Sequence, residues 1–202
     1  QADLEASLPF VWGRSVSSIF IGGGTPSLLS AHGVDRLLSS VRALLPVLPD
    51  AEISMEANPG TFESGKFKSY RESGINRLSI GIQSFNSRHL HQLGRIHDSD
   101  EAKDAIAIAM QYFDNVNLDL MIALPEQTLE ELEEDISTAL SFQTPHLSLY
   151  QLTVEPNTYF AKHPPVLPNE DVIERMQGRV EEMTALAGYE HYEVSAYAKP
   201  GH

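Results

Sequence analysis

Polar side chains and glycines recur at the ends of apolar runs in this sequence. Gly22-Gly23-Gly24-Thr25-Pro26 follows Ser18-Ile19-Phe20-Ile21, Glu56 follows Ile53-Ser54-Met55, and Gln83 follows Leu78-Ser79-Ile80-Gly81-Ile82. Asp119 lies within Val116-Asn117-Leu118-Asp119-Leu120, and Gln151-Leu152-Thr153 follows Leu147-Ser148-Leu149-Tyr150. Groups that are costly to bury without partners, repeated at equivalent places, point to a ligand site. Three glycines after a strand bare backbone N–H and C=O groups to a close ligand. Thr-Pro follows them, not Gly-x-x-Gly or Gly-Lys-Ser/Thr, so phosphate cradling is the weaker reading and a sharp structural turn the plain one. Asp119 only accepts hydrogen bonds, which suits a sugar diol. Arg95 can fork onto a carboxylate, either a ligand's or that of Glu56.

Other chemistry-bearing residues give less. The histidines at 89, 91, 97, 146, 163, 191 and 202 lack His-x-x-x-His spacing, and a structural or surface role is the reading for each. No metal site is expected. Trp12, Tyr150, Tyr159, Tyr189 and Tyr192 read as core or rim packing. Glu130-Glu131 and Glu133-Glu134-Asp135 read as a solvated helix face.

The elements that must position these residues alternate strand and helix. Strands are expected over 17–21, 52–57, 77–83, 117–124 and 146–154, with a last one over 189–196. Helices are expected over 33–45, from Thr61 to about Ser73, after Asp98, after Thr128, and over 170–187. Pro46 and Pro49 close the first of these, and Asn58-Pro59-Gly60 signals a turn. Asp98 with Glu101, and Thr128 with Glu131, have capping-box spacing. Pro156 and the prolines at 164, 165 and 168 make 157–169 an extended loop. Such a βα series builds a parallel sheet whose strands end on one rim, so the polar groups are expected to meet at a single mouth.

Composition sets limits. The chain has 202 residues, 14 basic against 28 acidic, with no basic run, so a nucleic-acid surface is not expected. No apolar stretch is long enough to span a bilayer, and no signal-peptide pattern opens the chain. It contains no cysteine, which excludes disulfides and any thiolate metal site within it.

Several strings together are specific. Ile-Phe-Ile-Gly-Gly-Gly-Thr-Pro-Ser at 19–27, Glu-Ala-Asn-Pro-Gly at 56–60 and Arg-Leu-Ser-Ile-Gly-Ile-Gln-Ser-Phe at 77–85 occur in order. Leu-Gly-Arg-Ile-His at 93–97, Asn-Leu-Asp-Leu-Met at 117–121 and Tyr-Gln-Leu-Thr-Val-Glu-Pro-Asn-Thr at 150–158 follow. The chain resembles, over essentially its whole length, the radical S-adenosylmethionine proteins of the oxygen-independent coproporphyrinogen III oxidase group, and most nearly their haem-chaperone branch.

The resemblance implies an α/β fold, a partial (β/α)6 TIM-like barrel of the radical S-adenosylmethionine type, with residues 1–202 as one barrel cut at both ends. It implies that Gly23, Gly24 and Thr25 receive the methionyl amino group and that Arg95 meets the methionyl carboxylate. Gln83 and Asp119 fall at the ribose hydroxyls, and Glu56 and Thr153 line the same pocket. It further implies a [4Fe–4S] cluster held by three cysteines that this sequence lacks, so the cluster is expected only in a longer parent and the chain alone is expected to be inactive. Haem or a porphyrinogen, haem-accepting respiratory proteins and a cytoplasmic location complete the expectation. The alternative within the group is the oxidase itself, decarboxylating porphyrinogen propionates. A barrel enzyme binding a phosphorylated metabolite at the glycine loop is the reading outside it.

Overall fold

A computed structural model of the chain describes residues 1–59 and 64–202. Its elements are α1 (Ala2–Val11), β1 (Val16–Ile21), a 3₁₀ turn (Pro26–Leu28), α2 (Ala31–Leu44), β2 (Val47–Ala57), α3 (Ser64–Ser73), β3 (Arg77–Gln83) and α4 (Ser87–Gln92). They continue with α5 (Ser99–Tyr112), β4 (Asn115–Ile122), α6 (Leu129–Ser141), β5 (His146–Gln151), α7 (Tyr159–Lys162), α8 (Glu170–Leu186), β6 (Glu190–Glu193) and β7 (Ala196–Ala198). The turn at Gly60 and the helix cap at Thr61 expected from the sequence lie outside the described residues. Two compact units are formed, Gln1–Ile80 with Ala107–Val116, and Gly81–Ile106 with Asn117–His202.

In the first unit β1, β2 and β3 lie side by side and parallel, with Ile19 opposite Ile53 and Met55 opposite Leu78. Many of their apolar residues are buried, as are Val34 and Leu38 of α2 and Phe67 and Tyr70 of α3. Phe67 packs edge-on against Phe113, ring centroids 6.2 Å apart. β2 begins five residues before the position expected from the prolines. Between the pairs Val16–Val47 and Ser18–Glu52 it takes up three extra residues, Pro49 among them. A bulge of this kind tolerates a residue with no N–H to give to the ladder.

The second unit carries β4 and β5 in parallel register, Asp119 opposite Ser148 and Ile122 opposite Gln151. The single last strand expected over 189–196 is instead two. β6 and β7 form a hairpin, and β7 runs antiparallel to β5 with Leu147 opposite Tyr197. Glu193 accepts hydrogen bonds from the Ser195 N–H and hydroxyl, turning the chain between them. All four β6 residues are exposed, so the apparent alternation there had no core to face. The proline-rich connection also holds the short helix α7, capped by Thr158, whose hydroxyl accepts from the Ala161 N–H at 3.2 Å. Both expected capping boxes form. Asp98 Oδ1 accepts from Glu101 N while Glu101 Oε2 accepts from Asp98 N, and Thr128 and Glu131 do the same. No helix among the described residues is long and apolar enough to cross a membrane.

Tyr70 ties α3 to the segment after the glycine triplet. Its ring is fully buried, and its hydroxyl meets the carbonyls of Ser27 at 3.1 Å and Leu29 at 2.6 Å. Removing the hydroxyl takes this donor from the buried Ser27 carbonyl while leaving the ring in place. Tyr70→Phe is expected to lower the unfolding free energy by about 1–3 kcal/mol, read from urea titrations; an unchanged midpoint would show that the tether contributes nothing.

Candidate functional site

In the first unit the glycine triplet and Glu56 come together. The Gly23 N–H donates to Glu56 Oε2 at 3.1 Å. Gly23 and Gly24 have φ of 86° and 64°, the left-handed region where a side chain is strained. Gly22 is constrained by space, since an added Cβ would stand 2.5 Å from a Phe20 ring carbon and 3.2 Å from Glu56 Cδ. Thr25, half-buried, leads into the 3₁₀ turn. The Gly23 N–H is engaged by a carboxylate, and that carboxylate brings negative charge to the loop. A phosphate would meet repulsion there, whereas an ammonium group would be attracted. The phosphorylated-metabolite reading loses its support on this point.

In the second unit Asp119 sits half-buried on β4 between Leu118 and Leu120, which are almost wholly buried. Side chains two apart share a strand face, so Asn117 lies beside it. The Asn117 Nδ2 group donates to Asp119 Oδ1 at 2.8 Å and to Ser148 Oγ at 2.9 Å, and the Ser148 hydroxyl donates back to Asn117 Oδ1 at 3.1 Å. A buried amide thus orients the carboxylate.

Arg95 is placed by the end of α4. Gly94, at φ 69°, lets the chain turn back, so that the Arg95 N–H reaches the Leu90 carbonyl and the Gly94 N–H reaches His91. The guanidinium is half-buried, and burial pulls its pKa below the usual arginine value. Two residues on, buried His97 bonds through Nε2 to the Ile82 carbonyl at 3.2 Å, which links the Arg95 segment to the end of β3. Thr153 lies two residues beyond β5 and is exposed; its hydroxyl donates to Glu155 Oε1 at 3.2 Å.

Gln83 closes β3 with φ 70°, and Ala123, just after β4, has φ 57°. Non-glycine residues held in this region cluster at ligand sites. The Gln83 turn is secured by a residue the sequence reading missed. Asp135, expected on a solvated acidic face, is 3% exposed. Its Oδ2 accepts from the Ser84 hydroxyl at 2.6 Å and its Oδ1 from the Phe85 N–H at 2.7 Å. Spacing could have found it, because Leu132, Asp135, Ile136 and Ala139 share the buried stripe of α6. Glu131 is likewise engaged, with Arg88 at 2.6 Å and buried His89 at 3.3 Å.

Gly23, Gly24, Thr25 and Glu56 belong to the first unit, and Gln83, Arg95, Asp119 and Thr153 to the second. Among the described residues no group of three or more His, Asp or Glu is placed to hold a metal ion.

The chain belongs to the radical SAM superfamily, whose family model matches residues 9–139. It is 51% identical over 201 residues to a protein named heme chaperone HemW from Escherichia coli, covering 99% of this chain and 53% of that one. Its identity to the Haemophilus influenzae protein of the same name is 48%, over all of this chain and 53% of that one. The chain therefore spans about half the length of the curated relatives it matches. Among solved structures, the E. coli coproporphyrinogen III oxidase HemN, described as a radical SAM enzyme, is similar at a TM-score of 0.89 and 26% identity, over 99% of this chain and 47% of that one. The archaeal Elp3 of Methanocaldococcus infernus has a TM-score of 0.64 at 15% identity, over 89% of this chain and 48% of that one, a likeness of fold alone. The fold class is the partial TIM barrel of this superfamily, with a mostly parallel sheet.

The two buried ionisable groups flanking Gln83 titrate in opposite senses. Burial holds His97 below the ordinary histidine pKa, with the nearby Arg95 charge acting the same way and the Ile82 bond opposing. Burial raises Asp135, against its bonds from Ser84 and Phe85. Between the folded and unfolded pKa values of His97 the unfolded chain binds more protons, so this stability is complete above about pH 6.5 and is lost as pH falls through the folded value. His97→Gln, which keeps an N–H donor for Ile82, is expected to flatten the stability–pH curve below about pH 6.5 in urea titrations. A slope equal to that of the parent would contradict a neutral, buried His97.

Proposed function

We propose that this chain is the S-adenosylmethionine-binding portion of a haem-trafficking protein. The observation that carries this is its sustained identity, over almost all its length, to proteins named as haem chaperones. S-adenosylmethionine fits what the residues offer. Its ammonium group suits the glycine loop at Gly23, Gly24 and Thr25 beside the Glu56 carboxylate. Its carboxylate suits the guanidinium of Arg95, which can bind both oxygens. Its ribose hydroxyls suit Gln83 and Asp119, with Thr153 at the margin. When bound, S-adenosylmethionine supplies a sulfonium whose cleavage needs an electron. The side chains named here orient and bind; none is placed to provide that electron.

A [4Fe–4S] cluster does not fit these 202 residues. Clusters are held by cysteine thiolates, and this sequence has none. No step is assigned to a cluster here, and the chain by itself is expected not to cleave S-adenosylmethionine. Haem, or a porphyrinogen, is the ligand of the protein as a whole in this reading, with respiratory proteins as haem acceptors and the cytoplasm as its setting.

The likeness of fold to HemN keeps one rival in view, oxidative decarboxylation of porphyrinogen propionates. In the protein at its natural length, haem titration is expected to give a saturable Soret band and transfer to a haem-free acceptor, while coproporphyrinogen III is left intact. Decarboxylation without haem transfer would select the rival.

For the chain itself, Asp119→Ala is expected to weaken S-adenosylmethionine about 10- to 100-fold in equilibrium dialysis, as loss of a half-buried carboxylate's charge-assisted hydrogen bonds does. Undiminished binding would remove Asp119 from the site.

A further inference from the structure

The left-handed backbone of Gln83 needs something to hold it, because glutamine gains nothing from that conformation. Both flanks of the residue are fastened by buried side chains. Before it, the Ile82 carbonyl meets His97 Nε2 at 3.2 Å. After it, the Ser84 hydroxyl and Phe85 N–H both end on Asp135, at 2.6 and 2.7 Å. Ser84 Oγ also accepts from the Asn86 N–H at 3.0 Å, so one hydroxyl relays the carboxylate's hold to the next turn. The Phe85 ring stacks on Phe142, at 6.2 Å and 20°, and fixes the same segment to the end of α6.

A carboxylate 3% exposed with no cationic partner among its hydrogen bonds is an expensive way to anchor a loop. Two donors 2.6 and 2.7 Å away offset that cost only while the Ser84-Phe85 turn keeps its shape. Asp135 therefore stabilises one backbone path out of β3. Its own position is fixed by α6, a thirteen-residue helix with a complete capping box at its start.

We propose that Asp135 and His97 are positioning residues for S-adenosylmethionine, clamping the backbone on either side of Gln83 so that its side-chain amide is presented to the ribose. The proposal rests on the S-adenosylmethionine reading above and adds residues that do not themselves touch the ligand. Asp135→Asn keeps the size of the side chain but turns an NH2 group toward one of the two donors. The Ser84 hydroxyl can rotate to accept from that NH2 group, but two charge-assisted bonds become neutral and weaker, so Gln83 is held less firmly in the left-handed region.

The test compares S-adenosylmethionine with its 2′-deoxy and 3′-deoxy ribose forms, by equilibrium dialysis on the 202-residue chain. The parent is expected to prefer the full ribose by about tenfold over at least one deoxy form, the scale of one hydrogen bond. In Asp135→Asn that preference is expected to fall to within about twofold, while affinity for the deoxy form changes little. General loosening of the fold would instead weaken all three ligands in proportion and leave the ratio intact, which would overturn the proposal. Ser84→Ala, a milder change on the same relay, is expected to lower the ratio too, and it decides the matter if Asp135→Asn does not unfold cooperatively. A parent that binds S-adenosylmethionine without preferring the full ribose also overturns the clamp. A parent that binds none of the three ligands refutes the S-adenosylmethionine reading itself.

Discussion

A buried carboxylate that must be satisfied governs how β3 ends. Asp135, almost wholly buried, accepts from Ser84 and Phe85, and the left-handed Gln83 lies beside that constraint. Broken, the arrangement would leave an unpaired charge in the core, at a cost that exceeds the modest strain of one unusual backbone angle. His97 acts on the other side of Gln83 and carries the constraint into the loop that seats Arg95. Two residues assigned to the ligand thus share one supporting framework.

The same logic, polar groups held by other polar groups, organises the remaining candidates. Asn117 spends its amide on Asp119 and Ser148, so the carboxylate is aimed before any ligand arrives. Glu56 takes the Gly23 N–H and gives the glycine loop a negative partner. Preorganisation of this kind reduces the ordering that binding would otherwise require. It also selects ligand charge. A loop with a carboxylate in it suits an ammonium group, and a half-buried guanidinium suits a carboxylate.

Much of this was legible in the sequence because strand ends are written in residue type. β3 spans the residues expected of it, and both capping boxes form as their spacing implied. What was not legible depended on tertiary context. Pro49 reads as a breaker, but a bulge in the β1–β2 ladder removes the need for its missing N–H. The alternation over 189–196 reads as a strand, and only the Glu193–Ser195 contacts reveal a hairpin. Asp135 was hidden in an acidic run. Glu130 and Glu134 on α6 do face solvent, and the helical stripe, not the composition, separates Asp135 from them. The backbone angle of Gln83 has no sequence signature, since it is imposed by partners about 50 residues away.

Amide chemical-shift mapping of the ¹⁵N-labelled chain, titrated with S-adenosylmethionine, tests the central claim most directly. Saturable shifts are expected at Gly23, Gly24, Gln83, Arg95 and Asp119, with smaller ones at Ser84 and Phe85. No shifts at saturating ligand, or shifts confined to the 190–198 hairpin, would contradict it.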